Sequence, residues 1–453
     1  MNRLSYENAP RILVKPPGPK SLELLDIQDK YETKSRIYTQ IFRMAVDDAK
    51  GSTVKDVDGN IYIDWFSGIS VLNLGHSNPI VIDAIQNQLN KIDHINEVPT
   101  EARVQFLKTL ESTLPGKLRN NAKIMFTVTG GDACEAAVSL ARYITKKKII
   151  IAFSGSYHGI AGEIASATAN YHYREYENLD YHNFYHLPYP YKYRFPIKVN
   201  DEDISKVVID MLENILKDNY SGIGPVGGVL VEPIQGEGGY IVPPDDFLPM
   251  LREVTEKYSI PLIADEVQSG VGRTGKIWAS EHWSITPDIM CISKSIGGGI
   301  PASMIAYKKE YDEFLPQGFH LGTYRGNPLA LAAGNAILNY LQNSEILNRV
   351  QEKGKYIVER FNEMSYISNY IGDVRGKGFM IGVELVKDRK SKEPATDVAI
   401  QLKKKLFEKG LLMHTCGHYG NVMRFMAPLT IEDDLIDKGL EVFENSIKEI
   451  GNT

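Results

Sequence analysis

"LIADEVQSGVGRTGKIWASEHWSITPDIMCISKSIGGGIP", residues 262–301, decides how this chain is read. It contains two short apolar runs. Asp265 and Glu266 close the first, and Lys294 closes the second, followed by Ser295 and a run of glycines. Short apolar runs bounded by turn residues read as buried strands. A carboxylate at the end of a buried strand is costly unless a cation or donor meets it. A lysine in the same position is either a solvated loop residue or a buried amine with a task, and the surrounding sequence has to decide.

Outward from this block the middle of the chain reads as α/β. "AKIMFTVTGG" is a strand ending in glycines, "DACEAAVSLARYI" a helix and "KKKIIIAFSGSYHG" another strand. "VGGVLVEP" adds a further strand, with a helical segment over 245–258 before "IPLIADEV". Apolar strands alternating with helices predict a mainly parallel sheet covered on both faces, with ligands at the strands' carboxyl ends. Helical periodicity covers 79–93 and 100–114, and "VDGN" predicts a hairpin over 53–65. The N-terminal "VKPPGPK" reads as an extended arm. Residues 348–364, "GFMIGVELV", "ATDVAIQLKKKLFEKG" and a final helix after Pro428 read as a smaller α+β lobe. The expected organisation is an arm and small-domain segment over 1–75, a large domain over 76–340 and a small domain over 341–453.

Composition narrows the function. Of 453 residues, 43% are apolar and 24% charged, as in an ordinary globular protein. The net charge of -6 gives no electrostatic case for nucleic acid or an anionic membrane. Three widely separated cysteines, Cys134, Cys291 and Cys416, suggest neither a disulfide framework nor a zinc site and suit a reducing cytoplasm. No apolar run predicts a signal peptide or a membrane span. Residues 170–197 are Tyr-rich and broken by Pro. They read as a long ordered loop, because the spacing of His172, His182 and His186 matches no recognised ligand set. No metal site is expected.

Four features surround the lysine. Asp265 and Lys294 end two strands, Gly130 and Gly131 form a strand-to-helix turn whose N–H groups suit an anion, and Tyr157 in "GSYHG" supplies an aromatic face. Each alone has a bland reading as turn, core or helix cap. Together, on strand ends, an amine, a carboxylate, a phosphate cradle and an aromatic plate match the needs of a pyridoxal phosphate site.

The 262–301 block, with "GHSNP", "SYHG", "VEPIQGEGG", "TYRGNPLA" and "MRFMAPL", resembles the class III pyridoxal-phosphate aminotransferases of fold type I, including 4-aminobutyrate aminotransferase-like and racemase-like members. The resemblance runs over about residues 50–445 and implies pyridoxal 5′-phosphate as cofactor, with small amino and oxo acids as substrates. It implies that Lys294 bonds covalently to the cofactor and moves the proton. Asp265 would pair with the ring nitrogen, Gln268 would sit by the ring oxygen and Tyr157 would stack on the ring. Gly130 and Gly131 would hold the phosphate. Thr323 would reach the phosphate from a partner subunit, which implies a homodimer or a dimer of dimers. Glu237 and Arg424 resemble the family's switch pair, in which the Arg takes an α-carboxylate and the Glu neutralises it when an ω-amine binds.

Three positions depart from the family pattern. Gly131 stands where Ser or Thr is common, and Arg325 where Gly is commoner. Arg325 is expected either to add charge near the phosphate or to face the subunit contact, the second being favoured. Ile160 stands where members that use 4-aminobutyrate or ornithine carry an Arg for a distal carboxylate. Arg174, Lys192, Arg194 and Arg325 are the cations that could replace it. The implied activity is transfer of an amino group from an amino acid or ω-amino acid to a 2-oxo acid. The alternatives are an amino-acid racemase or epimerase of the same family, and a non-catalytic binding protein on the same fold.

Overall fold

The computed structural model describes residues 3–175 and 183–451. The chain forms two compact units, Ile80–Leu347 and Met1–Pro79 with Asn348–Thr453.

The first unit is built on a seven-stranded sheet. Its strands are β1 (Ala122–Thr127), β2 (Ile149–Phe153), β3 (Phe184–Leu187), β4 (Val226–Val231), β5 (Leu262–Asp265), β6 (Ile289–Ile292) and β7 (Ser303–Lys308), in the spatial order β1-β7-β6-β5-β4-β2-β3. From β6 to β3 every pair is parallel. β7 is antiparallel to both neighbours. β1 therefore points the same way as β6, and six carboxyl ends share one edge. Strands β4, β5 and β6 are buried at every position, the signature of a sheet covered on both faces. The helix Gly130–Thr145 packs Ala133, Ala137, Leu140 and Ala141 into that core. The expected mainly parallel sheet is therefore present, with an antiparallel member at "SMIAYK" that the alternating pattern did not reveal.

The second unit is α+β. Thr53–Asp56 and Ile61–Asp64 form the expected hairpin, and Leu411–Leu412 joins it in parallel. A second, antiparallel sheet joins Ile371–Lys377, Met380–Asp388, Val422–Phe425 and His414–Cys416. Trp65 anchors this core. Its ring packs against Phe425 and Phe361, and a Cβ at Gly439 would fall 2.1 Å from it.

Two expectations need correction. The N-terminal arm is not extended throughout, because Pro19–Tyr31 is a helix. Pro19 occupies its first turn, where a missing N–H costs nothing. The Asp58 carboxylate caps it from outside by accepting from Lys20 N and Ser21 N at 2.9 Å each. The Tyr-rich segment is not loop throughout, because β3 lies within it and extends the sheet in parallel with β2. His172 is exposed and pairs with Glu175, His186 faces the Ala167 carbonyl, and His182 lies outside the described residues.

Candidate active site

Five strand ends supply one cavity of about 600 Å³. After β1, Thr129 caps the helix Gly130–Thr145 by accepting from Asp132 N. Gly130 and Gly131 open that helix, so their N–H groups have no intrahelical partner. A Cβ on Gly130 would lie 2.9 Å from Val267 Cγ1, so close approach of the β5 loop demands glycine there. A Cβ on Gly131 would meet Gly159 Cα at 3.4 Å, an ordinary contact. The missing Ser or Thr is thus a chemical departure, not a steric one. Asp132 accepts from Val128 N at 2.9 Å and lies 3.0 Å from His320 Nε2 and 3.3 Å from Arg325 Nη2. Burial pushes its pKa up, but these partners outweigh burial and hold it below the ordinary value. Arg325 is buried and braces the first turn of the cradle helix, a role the sequence did not suggest.

Asp265 ends β5 almost fully buried. Its Oδ2 lies 2.7 Å from His158 Nδ1 and accepts from the Cys134 thiol at 3.3 Å, and its Oδ1 accepts from Val267 N at 3.0 Å. Carboxylate oxygens only accept, so His158 presents an N–H here. The ligand atoms of Cys134, His158 and Asp265 lie within 4.8 Å of one another, a donor set a metal could take. The contacts among them are those of a hydrogen-bonded cluster. Hydrogen bonding with Cys291, then burial and the charge of Asp265, push the Cys134 thiol pKa well up, so it serves as a donor.

Lys294 follows β6 with φ +53°, a left-handed backbone that costs an ordinary residue of order 1–3 kcal/mol. The turn is fastened on both sides. Ser293 Oγ donates to the Ala302 carbonyl and Ser303 Oγ to the Ile292 carbonyl, both at 3.0 Å. Tyr157 and Gln268 line the same cavity. Gln268 Oε1 is buried without a hydrogen-bond partner among the described residues, and a Cβ on Gly236 would sit 2.2 Å from it. Glu237 and a 44%-exposed Ile160 also line the wall. Arg174, Lys192, Arg194 and Arg325 do not, and Lys294 is the one lysine or arginine among the described lining residues.

Two predicted residues lie elsewhere. Thr323 is exposed beside Asn96, Glu97 and Val98, away from this cavity. Arg424 belongs to the other compact unit, buried on Val422–Phe425 opposite His414. Burial and the charges of Arg424 and Lys403 press the His414 pKa far down.

Sequence reasoning missed Cys134, His158 and Glu232. All three stand inside or beside noted motifs, but Cys134 and His158 meet Asp265 from 131 and 107 residues away. Glu232 ends β4, buried, and lines the cavity. Its pKa is raised to about 7, chiefly by burial and further by Asp265, against the opposing pull of His158 and two backbone N–H groups.

The chain matches the aminotransferase class-III family over residues 33–447. It belongs to that family. A diaminobutyrate–2-oxoglutarate aminotransferase of Rhizobium meliloti is 36% identical to it over 91% of this chain and 90% of the relative. An alanine/serine racemase of Pyrococcus horikoshii is 33% identical over 97% and 93%. Among solved structures, the taurine:2-oxoglutarate aminotransferase of Bifidobacterium kashiwanohense, in complex with PLP and glutamate, superposes with a TM-score of 0.87 at 25% identity, covering 96% of this chain and 98% of that one. The fold is accordingly that of the fold type I transaminases, and the chain is a class III aminotransferase-family enzyme. No helix among the described residues is long and apolar enough to cross a membrane.

Proposed function

We propose that this protein transfers an amino group from an amino acid or ω-amino acid to a 2-oxo acid, with pyridoxal 5′-phosphate bound at Lys294. The observation that carries the reading is the convergence of Lys294, Asp265 and the Gly130–Gly131 turn on one cavity. The wall fits a phosphorylated pyridine. Free helix N–H groups suit the phosphate, the Gln268 amide N–H on the same wall suits a ring oxygen, and the Asp265 carboxylate suits the ring nitrogen.

When bound, the cofactor supplies a carbonyl that takes up the amine and a ring that delocalises the electron pair left by the departing α-proton. The chain's own groups do the rest. Lys294 Nζ would hold the cofactor through its carbonyl carbon and, once free, would be the base that carries the substrate's α-proton. Asp265 would pair with the ring nitrogen and favour its protonated form. His158, Cys134 and Val267 N–H fix that carboxylate in place, so its orientation costs nothing at the moment of reaction. Tyr157, on the same wall, would lie against the ring. Thr323 would complete the phosphate site of a partner subunit in a homodimer.

Ile160 narrows the donor. With no arginine on the described wall, a distal carboxylate lacks a partner, which favours donors with apolar or basic side chains over glutamate and 4-aminobutyrate. A second reading, amino-acid racemisation, gains support from the Pyrococcus horikoshii relative. A panel of donors with pyruvate and 2-oxoglutarate as acceptors tests the proposal. Incubation with a single L-amino acid and no oxo acid separates the two readings. A racemase erases optical rotation catalytically, and an aminotransferase halts after one half-turnover.

A further inference from the structure

Glu232 has no part in the chemistry described above, yet it is a buried carboxylate in the cavity wall. Its two oxygens are split between two loops. Oε1 accepts from Tyr157 N at 3.0 Å and Oε2 from Gly236 N at 2.8 Å. The first loop carries Tyr157, His158 and Ile160, and the second carries Glu237. Other contacts hold the same loops side by side. Gln235 Nε2 donates to the Ser154 carbonyl at 2.8 Å, and a Cβ on Gly238 would fall 2.5 Å from the Gly155 carbonyl oxygen. Tyr189 Oη donates to the Glu232 carbonyl at 3.1 Å, which fixes the backbone but leaves the carboxylate untouched.

We propose that Glu232 is a positioning residue whose carboxylate clamps the Tyr157 loop to the Gly236–Glu237 loop, setting the distance between the aromatic plate and the substrate-side carboxylate. A neutral core polar residue could fill the same space. Only a group that accepts at both ends can satisfy two N–H donors that face it from different loops. Burying a carboxylate here is unfavourable on its own, as its raised pKa records, and the two charge-assisted hydrogen bonds offset part of that cost. The inference rests on the pyridoxal phosphate reading only for its consequence at the cofactor, because the clamp itself is a property of the chain.

Glu232→Gln keeps the shape and loses one acceptor, so one of the two N–H groups is left facing an N–H. Tyr189→Phe is the control, since it removes a hydrogen bond to the same segment without touching the carboxylate. Amide hydrogen exchange on the cofactor-free protein reads the clamp directly. Peptides covering 154–160 and 234–240 should lose protection in Glu232→Gln and Glu232→Ala, with β4 and β5 unchanged. Pyridoxal phosphate affinity, measured by fluorescence titration, should weaken about tenfold in Glu232→Gln, the scale of one charged hydrogen bond. KM for amino donors should rise more than kcat falls, and Tyr189→Phe should leave both near wild type. Unchanged exchange at both peptides would overturn the clamp. Exchange that responds while cofactor affinity and KM stay at wild-type values would overturn its positioning role. If exchange responds but the wild-type protein takes up no pyridoxal phosphate, the clamp stands and the functional reading falls.

Discussion

Asp265 and Glu266 are sequence neighbours at the end of one strand, both acidic and both buried, yet they lead to opposite sides of it. On the Glu266 side every need is met internally. Its carboxylate accepts from Ser280 N, Ser280 Oγ, Ala279 N and Ser269 Oγ at 2.6–3.0 Å. On the Asp265 side three donors fix the carboxylate while it still lines an open cavity. Glu266 ties a loop to a strand, whereas the Asp265 carboxylate also faces a cavity. Residue type does not separate structure from function here. The direction the side chain takes and the acceptor capacity left over do.

The sharpest break between the two sides should come from the amine that shares Asp265's cavity. Lys294→Ala should lower turnover about a million-fold, the scale of losing a covalent catalytic group. Thermal unfolding of the cofactor-free protein should change little, because alanine keeps the same Cβ and leaves the left-handed strain at 294 as it was. Asp265→Asn should come next. It should remove most turnover and weaken cofactor binding by about 1.5–3 kcal/mol, read by steady-state kinetics and titration of the apo protein. Near-wild-type turnover would place Asp265 with Glu266 among the structural acids. Glu266→Gln should reverse the pattern. Unfolding should become easier by about 2–3 kcal/mol as buried donors lose their acceptor, while kcat of the folded fraction stays within a few-fold of wild type.

A smaller effect concerns specificity. Ile160→Arg should improve kcat/KM for glutamate and 4-aminobutyrate by about 1.5–3 kcal/mol if a charged hydrogen bond forms to the distal carboxylate. Efficient use of 4-aminobutyrate by the wild type would refute the argument from Ile160. The smallest effect is in pH dependence. The folded-state pKa of Glu232 is raised from 4.5 to about 7, so the folded protein binds the extra proton in that window. Its contribution to stability is therefore fully present below about 4.5 and falls as pH rises towards about 7, where His158 and Asp265 are the neighbouring charges. Glu232→Gln should flatten that decline in a comparison of apo unfolding curves with wild type.

Much of this was legible in the sequence because it is local. The strand-end positions of Asp265 and Lys294, the glycines at a helix start and the alternation of strands and helices all follow from a few consecutive residues. Four features were not. Two partners of Asp265 come from far along the chain, Cys134 from the helix Gly130–Thr145 and His158 from the loop after β2, so nothing near residue 265 announces them. The N-terminal helix depends on a cap supplied by Asp58, which "VKPPGPK" cannot reveal. Arg325 reads as an oddity in "TYRGNP" until Asp132 is seen beside it. β3 was hidden because Pro and Tyr in its flanks outweigh a four-residue strand.

The central claim is that the Lys294 amine is the group that holds the cofactor. Borohydride reduction of the protein loaded with pyridoxal phosphate, followed by peptide mass mapping, tests it most directly. The account predicts one reduced adduct, on Lys294, at one per chain, and none at that position in Lys294→Ala. A stoichiometric adduct on another lysine, or none on wild type despite bound cofactor, would contradict it.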